Sequence, residues 1–323
     1  MSLKFKSIKL EDWRQYRSVE IDFHPSLTVI TGPNGTGKST ILGFLGRHFG
    51  YERNLLSTPK KSKKTGILTF STGIFRWLKS ASKRSAPNDE DVVGMIWYDN
   101  DESCEIKIPR QNSIQYQANL YGQKTVAGLH IDSHRPPAIY KPVPNISTSP
   151  LNKSNIAGQI DNELRHFYTQ GQGNKGTLFH IKSALISMSM FGYGNQTMEP
   201  DQELIDLFHG FEEKLSVVLP KSLGFEQLLI RVPEVILSTK SGEFVLDAAS
   251  GGVLKLFEIT WQIYFQAQKQ EEFVVTMDEP ENHLHPSMQR TILVNLKKAF
   301  PKVQFIVVTH SPFIVSSVKD SNV

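Results

Sequence analysis

The chain carries a single cysteine, Cys104, in 323 residues. That scarcity rules out an internal disulfide framework and any multi-cysteine zinc site, and it suits a reducing cytosol. No apolar run approaches the roughly 20 residues that a membrane-spanning helix needs. The N-terminal MSLKFKSIKLEDW alternates charged with apolar side chains; without a continuous apolar stretch it does not read as a secretory signal. Sustained heptads are missing from the 240 residues between Lys38 and Asp278, which excludes a long coiled-coil arm there. Neither sign of charge dominates: the formal net charge is +4, which permits contact with nucleic acid without demanding it. The expectation is a soluble, cytoplasmic protein with no membrane partner. Its 39% hydrophobic content is enough to bury a full core, in one large domain or one domain with an insertion.

The organising stretch is LTVITGPNGTGKSTILGFL, residues 27–45. Residues 27–30 form a short apolar, β-branched run that reads as a buried strand, and an amphipathic helix is expected from Lys38 onward. Between them, Gly32, Gly35 and Gly37 let the backbone curl until successive N–H groups converge on a phosphate, while the helix N-terminus adds its free N–H groups and dipole. Gly32-x-x-x-x-Gly37-Lys38-Ser39 is the P-loop spacing in its required strand–loop–helix context. Lys38 supplies a mobile cation for the β- and γ-phosphates, and the Ser39 hydroxyl is placed to ligate Mg²⁺. ATP with Mg²⁺ is therefore the expected ligand. The expected nucleotide contacts are Gly32, Asn34, Gly35, Thr36, Gly37, Lys38, Ser39 and Thr40, with Ser39 also a metal ligand.

Alternating residues 3–10 and 17–23 predict two half-buried strands before this loop, joined by a turn over 12–16 that carries Trp13, Arg14 and Tyr16. An aromatic–Arg–x–aromatic hairpin directly before a GPNGxGKST loop resembles the start of ABC-type ATPases of the RecF, SMC and OLD groups. The resemblance implies that Arg14 reaches the bound nucleotide. Taken alone, Arg14 reads equally as an exposed hairpin arginine.

Residues 50–91 turn Lys- and Ser-rich, with Lys60, Lys61, Lys63, Lys64, Lys79, Lys83 and Arg84, a composition that suits a solvated loop or a contact with a phosphate backbone. Residues 92–98, 104–108 and 126–131 read as a strand meander with an acidic turn at 99–102. Its last strand runs into His130-Ile-Asp-Ser-His-Arg-Pro-Pro137, at the place along the chain where ABC ATPases carry the Q-loop glutamine. Ser133, His134 and Arg135 occupy that region, and no Q-loop residue is assigned. Five prolines in 136–155 mark an extended linker. A helical insertion follows to about residue 220: Leu204, Phe208, Phe211, Leu215 and Leu219 fall at helical spacing, and a looser helix over 178–190 follows the GQGNKG turn. Met188, Met190 and Phe191 suit a cofactor or partner groove or, more simply, a core stripe.

The second half of a nucleotide site is legible further on. FVLDAASGG, residues 244–252, runs into a long helical stretch over 253–268, and a Ser-Gly-Gly turn at a helix N-terminus is another anion cradle. Its position resembles the ABC signature LSGGQ, with Ala249, Ser250, Gly251, Gly252 and Val253 in the five places and Val253 where glutamine or glutamate is usual. The resemblance implies that Ser250, Gly251 and Gly252 contact the γ-phosphate held by an opposite subunit, so one chain makes half-sites. The apolar strand over 272–277 delivers Asp278 and Glu279 in a Walker B arrangement, Asp278 holding Mg²⁺ and Glu279 orienting and deprotonating the attacking water. DEPENHLHP, residues 278–286, resembles the OLD and RecF-like branch; His283 and His285 there also invite a metal-ligand reading, for which no carboxylate–histidine set stands nearby. The strand over 305–309 presents His310, which resembles the switch histidine that contacts the γ-phosphate.

The resemblance covers residues 1–50 and about 220–320 well. It implies an α/β P-loop ABC-ATPase head with an N-terminal antiparallel β part, a parallel core sheet and an inserted helical lobe. The expected organisation is an N-terminal lobe over 1–135, a linker and helical insertion over 136–220, and the signature, Walker B and H-loop part over 221–323. The expected activity is ATP hydrolysis in a homodimer or higher even oligomer closed around ATP-Mg²⁺, with Glu279 and His310 catalytic. Such relatives act on DNA, often in anti-phage systems beside a nuclease, and since no nuclease motif is visible the effector is expected on a partner chain. The alternatives are a RecF-like DNA-repair ATPase, a non-hydrolysing nucleotide-gated scaffold and, against the hairpin and DEPENHLHP, an ABC transporter subunit. The sequence stops soon after His310, where the resembled proteins often continue with another helix and strand, so a shortened head or loss of a C-terminal region is expected.

Overall fold

The computed structural model describes residues 2–61, 66, 68–71, 90–109, 113–134, 140–146, 155–156, 158–160, 162–164 and 176–318. Most of the basic stretch beyond Lys61, Arg135, most of the 136–155 linker and all but the last residue of the GQGNKG turn lie outside the described residues. In chain order the first half gives β1 (Phe5–Trp13), β2 (Tyr16–Asp22), β3 (Leu27–Ile30), helix α1 (Lys38–Gly46), β4 (Leu55–Leu56), β5 (Thr58–Lys61), β6 (Leu68–Ser71), β7 (Glu90–Tyr98), β8 (Ser103–Pro109), β9 (Gln115–Tyr116), β10 (Asn119–Tyr121) and β11 (Gly128–Ile131). The second half gives α2 (Thr177–Tyr193), α3 (Gln202–Val218), β12 (Phe225–Arg231), β13 (Glu234–Thr239), β14 (Gly242–Val245), α4 (Gly251–Lys269), β15 (Val274–Asp278), α5 (Pro286–Gln289), α6 (Ile292–Ala299), β16 (Gln304–Val308) and α7 (Pro312–Ser317). No helix among the described residues is long and apolar enough to cross a membrane.

The N-terminal hairpin is tighter than its alternation suggests. Trp13 pairs with Tyr16 across β1 and β2, so the turn shrinks to Arg14 and Gln15. Both aromatics are buried and their rings stack 6.0 Å apart; that burial extends both strands at the expense of the turn, with Arg14 taking a φ of 51°. β1 sits inside a five-stranded sheet of order β10-β8-β7-β1-β2, antiparallel throughout.

β11 corrects the expected meander. It does not join β7 and β8 but pairs in parallel with β15, in a core sheet of order β11-β15-β16-β3. The antiparallel partner of β8 is instead β10, a three-residue strand too short to leave a periodic trace. Gly128 makes the crossing possible: a Cβ there would overlap the Phe49 ring and lie 2.6 Å from the Val274 carbonyl oxygen. The three-stranded sheet β12-β13-β14 was not anticipated either, although EVILST and its neighbours are short alternating or apolar runs bounded by Pro233 and Gly242.

The core sheet separates two apolar interiors. Val274, Ile306 and Val308 belong to the cluster that holds α1 and the antiparallel sheet. Their neighbours Val275, Met277, Phe305 and Val307 belong to the cluster that holds α2, α3 and α4. This is strand alternation with both faces covered, as parallel strands require. α1 buries Ile41, Leu42, Phe44 and Leu45 against the first interior, each stabilising its seat by about 1.5–3 kcal/mol. α4 is buried from Gly252 to Phe265, which makes it the central helix of the second layer, and α3 sets the expected stripe Leu204, Phe208, Phe211 and Leu215 against that layer.

His48 joins the first interior to the end of α1. Its Nδ1 donates to the Leu45 carbonyl (3.1 Å) and its Nε2 accepts from the Tyr98 hydroxyl (2.9 Å). Burial lowers its pKa from 6.5 to about 4. The contribution is therefore complete above pH 6.5 and shrinks as pH falls toward about 4, because the unfolded imidazole takes the proton first. Between pH 7 and 5 this predicts about 2 kcal/mol of lost stability. Urea unfolding of wild type and His48→Gln at both pH values checks it: the variant should lose less by that amount, and equal losses would contradict the assignment.

Candidate functional site

The four parallel strands of the core sheet end on one side, and the loops that follow β3, β11, β15 and β16 carry the chemistry. After β3 the chain turns through Gly32 (φ 151°), Gly35 (79°) and Gly37 (94°) into α1. Gly37 is the N-cap of α1 in the left-handed region, without a side-chain cap, so among the described residues the Lys38 and Ser39 N–H groups are open to an anion, while that of Thr40 returns to the Gly37 carbonyl. The Tyr16 hydroxyl donates to the Gly37 carbonyl at 2.6 Å, fastening the hairpin to the loop, and burial raises the Tyr16 pKa so the phenol stays a donor. Lys38 is buried and its Nζ donates to the carbonyls of Gly32 (2.9 Å) and Pro33 (2.8 Å), with Thr36 Oγ1 at 3.5 Å. The lysine thus braces the inside of the loop, and Asn34, Gly35 and Thr36 remain exposed on its rim.

Across from α1, the last residue of β15 is Asp278. It is buried, its Oδ1 has no hydrogen-bond partner among the described residues, and the Ser39 hydroxyl stands close enough to its carboxyl to bear on its charge. Burial pushes its carboxyl up; the Ser39 hydroxyl and Arg53 oppose this, and the neighbouring Asp132 and Glu279 carboxylates reinforce it. A buried carboxylate oxygen without a partner costs about 1–3 kcal/mol, and a divalent cation shared with a serine hydroxyl relieves that cost in a site with oxygen donors only. The residues therefore fit Mg²⁺.

Asp132 is the residue that sequence reasoning missed. The parallel register sets Ile131 opposite Met277, which places Asp132 beside Asp278 at the strand ends. The side chains one step back confirm the shared face, since His130 Nδ1 meets Thr276 Oγ1 at 2.8 Å. The Tyr51 hydroxyl donates to Asp132 Oδ2, and the Tyr51 ring lies 3.9 Å from that of His130. Burial pushes the Asp132 carboxyl up, but hydrogen bonds from Tyr51 and the His134 N–H, with His130 and Arg53 nearby, hold it below its ordinary value. Only the pairing of β11 with β15 makes this visible; a search for glutamine passes over the aspartate. Ser133 and His134 bond locally around Asp132, through Ser133 Oγ and the His134 N–H.

Glu279 takes a left-handed φ of 45°, which turns its side chain out of the strand. Its Oε1 lies 3.4 Å from His310 Nε2 and its Oε2 accepts from Asn282 Nδ2 at 3.2 Å. The two residues expected to be catalytic are thus brought together from β15 and β16. His285 caps α5, accepting from the Ser287 N–H, and no group of three metal-ligating side chains occurs among the described residues.

Arg14 reaches the same end of α1. Its Nη2 donates to the Leu56 carbonyl at 2.9 Å and its guanidinium lies over the Trp13 ring. With Ser39, Thr40, Arg47, Arg53 and Leu56 it lines a cavity of about 230 Å³. Ser250 caps α4 by accepting from the Val253 N–H (3.4 Å), and Gly251 faces open space. Gly252 packs by Met288 and the His283 carbonyl, so this turn meets the loop after β15 rather than the P-loop. Buried Lys182 on α2 pairs with Asp247 at 2.7 Å, three residues before Ser250, and so ties the helical layer to the signature-like turn.

Residues 7–181, more than half of the chain, match an AAA domain family, and residues 223–316 match a second family described as AAA domain, putative AbiEii toxin, type IV toxin–antitoxin system. The Septu protein PtuA of Bacillus thuringiensis is 22% identical over 98% of this chain and 74% of its own length. The Retron Ec83 probable ATPase of Escherichia coli is 44% identical over 50 residues, 16% of this chain and 9% of that protein. Among solved structures, an SMC head bound to the C-winged helix domain of ScpA superposes with a TM-score of 0.50 at 16% identity, covering 97% of this chain and 91% of that one. The fold is that of an SMC-head-like P-loop protein, mixed α/β with antiparallel and parallel sheets.

Proposed function

Because this chain belongs to the AAA domain family, we propose that it binds and hydrolyses ATP at the ends of β3, β11, β15 and β16. The observation that carries the reading is the buried Asp278 Oδ1, without a hydrogen-bond partner among the described residues, set against Ser39 at the start of α1. Gly32 to Thr40 receive the phosphates through backbone N–H groups, and Lys38 exchanges its carbonyl contacts for the β- and γ-phosphate oxygens. Ser39 and Asp278 would hold Mg²⁺, which when bound neutralises phosphate charge. Glu279 orients the attacking water and takes its proton, and His310 stands beside it toward the γ-phosphate. Arg14 and the cavity it lines receive the remainder of the nucleotide. Phosphate release from ATP, measured for wild type and Asp278→Asn, tests this: wild type should turn over and the variant should not. A wild type that binds ATP and releases no phosphate favours the gated-scaffold reading.

Asp132 adds a second negative charge beside Asp278. Asp132→Asn keeps an acceptor for Tyr51 while removing that charge, and should raise the Mg²⁺ concentration for half-maximal turnover about 10-fold. An unchanged Mg²⁺ dependence removes Asp132 from the site.

Ser250 and Gly251 are exposed, and this turn meets its own chain at the loop after β15, which supports a head-to-head dimer in which each turn completes the partner's P-loop. The names of its relatives, a Septu protein and a retron ATPase, together with the toxin–antitoxin family over 223–316, support a role in defence; in that role ATP would gate a DNA-directed effector, a nuclease on a separate chain. Native mass of the tagged protein purified with its genomic neighbours, with and without ATP-Mg²⁺, tests both parts. A lone chain that dimerises with ATP favours the DNA-repair reading.

A further inference from the structure

Two left-handed residues, Glu279 (φ 45°) and His283 (φ 71°), bracket the turn after β15 and fold Glu281 back beneath the end of β16. Glu281 is buried, and one oxygen, Oε1, accepts three hydrogen bonds: from the Thr309 hydroxyl (2.5 Å), the His310 N–H (2.9 Å) and the Ser311 N–H (3.1 Å). Thr309 still pairs its N–H with β3, through the Ile30 carbonyl. His310 and Ser311 lie past the strand end; Glu281 supplies the acceptor for the His310 N–H and shares the Ser311 N–H with Thr309 Oγ1 (2.9 Å). Ser311 in turn caps α7 and donates to Gln289 Oε1 at 2.6 Å.

We propose that Glu281 is a positioning residue for hydrolysis, fixing the 309–311 backbone so that His310 stands against Glu279 and locking that pair to the loop whose His283 carbonyl lies by Gly252. The proposal rests on the ATPase reading above. Its physical basis is that one buried carboxylate sets the height of three consecutive residues, and with them the backbone position from which the His310 ring reaches Glu279. Without the acceptor, the Thr309 hydroxyl and the His310 N–H lose their partner and the Ser311 N–H keeps only Thr309 Oγ1 (2.9 Å), and the segment moves to find water. The network meets the strand before the P-loop only through the Thr309 N–H and Ile30 carbonyl among the described residues, a backbone bond that a substitution at 281 leaves in place, so nucleotide binding is retained while the geometry of the chemical step is lost.

Steady-state hydrolysis of Glu281→Ala and Glu281→Gln tests it. Glu281→Ala should lower kcat about 30-fold with KM for ATP within about 3-fold of wild type, since misplacement by an ångström costs on the order of 100-fold or less. Glu281→Gln retains an acceptor oxygen and should recover to within about 5-fold. On a His310→Ala background, Glu281→Ala should cost under about 3-fold, because it acts through that histidine; equal costs on both backgrounds, or a loss carried by KM, overturn the proposal. If Glu281→Ala fails to fold, Thr309→Val removes one donor and should lower kcat with KM unchanged; wild-type kcat there overturns it equally. Independently of turnover, the His310 ring resonance should move in Glu281→Ala (or Thr309→Val) and stay in Glu281→Gln. An unmoved resonance overturns the role of Glu281 even if wild type is inert, whereas an inert wild type by itself overturns only the ATPase reading.

Discussion

Glu279→Gln is expected to bind ATP as wild type does, to hydrolyse it about 100- to 10,000-fold more slowly, and to accumulate as an ATP-dependent dimer. The amide keeps the shape of the side chain and can still meet His310, now 3.4 Å from Glu279 Oε1, but it cannot take a proton from water. Asp278, Ser39 and Lys38 are untouched, so the phosphates bind as before. If hydrolysis opens the dimer, blocking it leaves the closed state. Light scattering after gel filtration, with and without ATP-Mg²⁺, reads the dimer, and phosphate release reads the rate. A variant that binds ATP yet stays monomeric would falsify the sandwich; one that keeps its rate would move the base elsewhere.

Gly37→Ala should lower ATP affinity by at least about 100-fold and also destabilise the fold, by about 2–4 kcal/mol. A Cβ at residue 37 would overlap Tyr16 Oη and Gln15 Nε2 and lie 2.5 Å from Tyr16 Cζ. Gln15 can swing away. Tyr16 cannot, because its ring is buried against Trp13 and its hydroxyl is bonded to the Gly37 carbonyl. The φ of 94° adds backbone strain for any residue with a side chain. Tyr16→Phe removes Oη but leaves the ring, so the double variant should recover only part of the loss. Calorimetric titration with ATP and thermal melting measure the two effects. Gly37→Ala that binds ATP within about 3-fold of wild type would show that the loop does not need the left-handed turn.

The glycine spacing, the apolar run before it and the Asp-Glu pair after a strand were legible because each depends on local chemistry: residue type, order and period suffice. The mixed α/β architecture followed from them; α3 was legible from apolar positions at helical spacing, and α4 as the long helical stretch after the Ser-Gly-Gly turn. Asp132 and Glu281 were not legible as site residues, because what each does is fixed across long separations. Asp132 matters only once β11 lies beside β15, 146 residues on as counted from His130 to Thr276. Glu281 stood in plain view within DEPENHLHP, yet its three donors come from residues 309–311. The destination of β11 was misread for a related reason. A four-residue strand, GLHI, has the same period whether its partner runs parallel or antiparallel, and the decision is made by Gly128 admitting Phe49 and Val274.

Odd and even positions of β15 serve different interiors, Val275 and Met277 one, Val274 the other. Inserting or deleting one residue between 274 and 278 would therefore exchange the two sides at once and aim residue 278 away from α1. Substitutions here can be graded, but length changes cannot. Natural variation in this strand should run through exchanges of Val, Ile, Leu and Met at constant length, with insertions collecting in the loops that begin past Asp278.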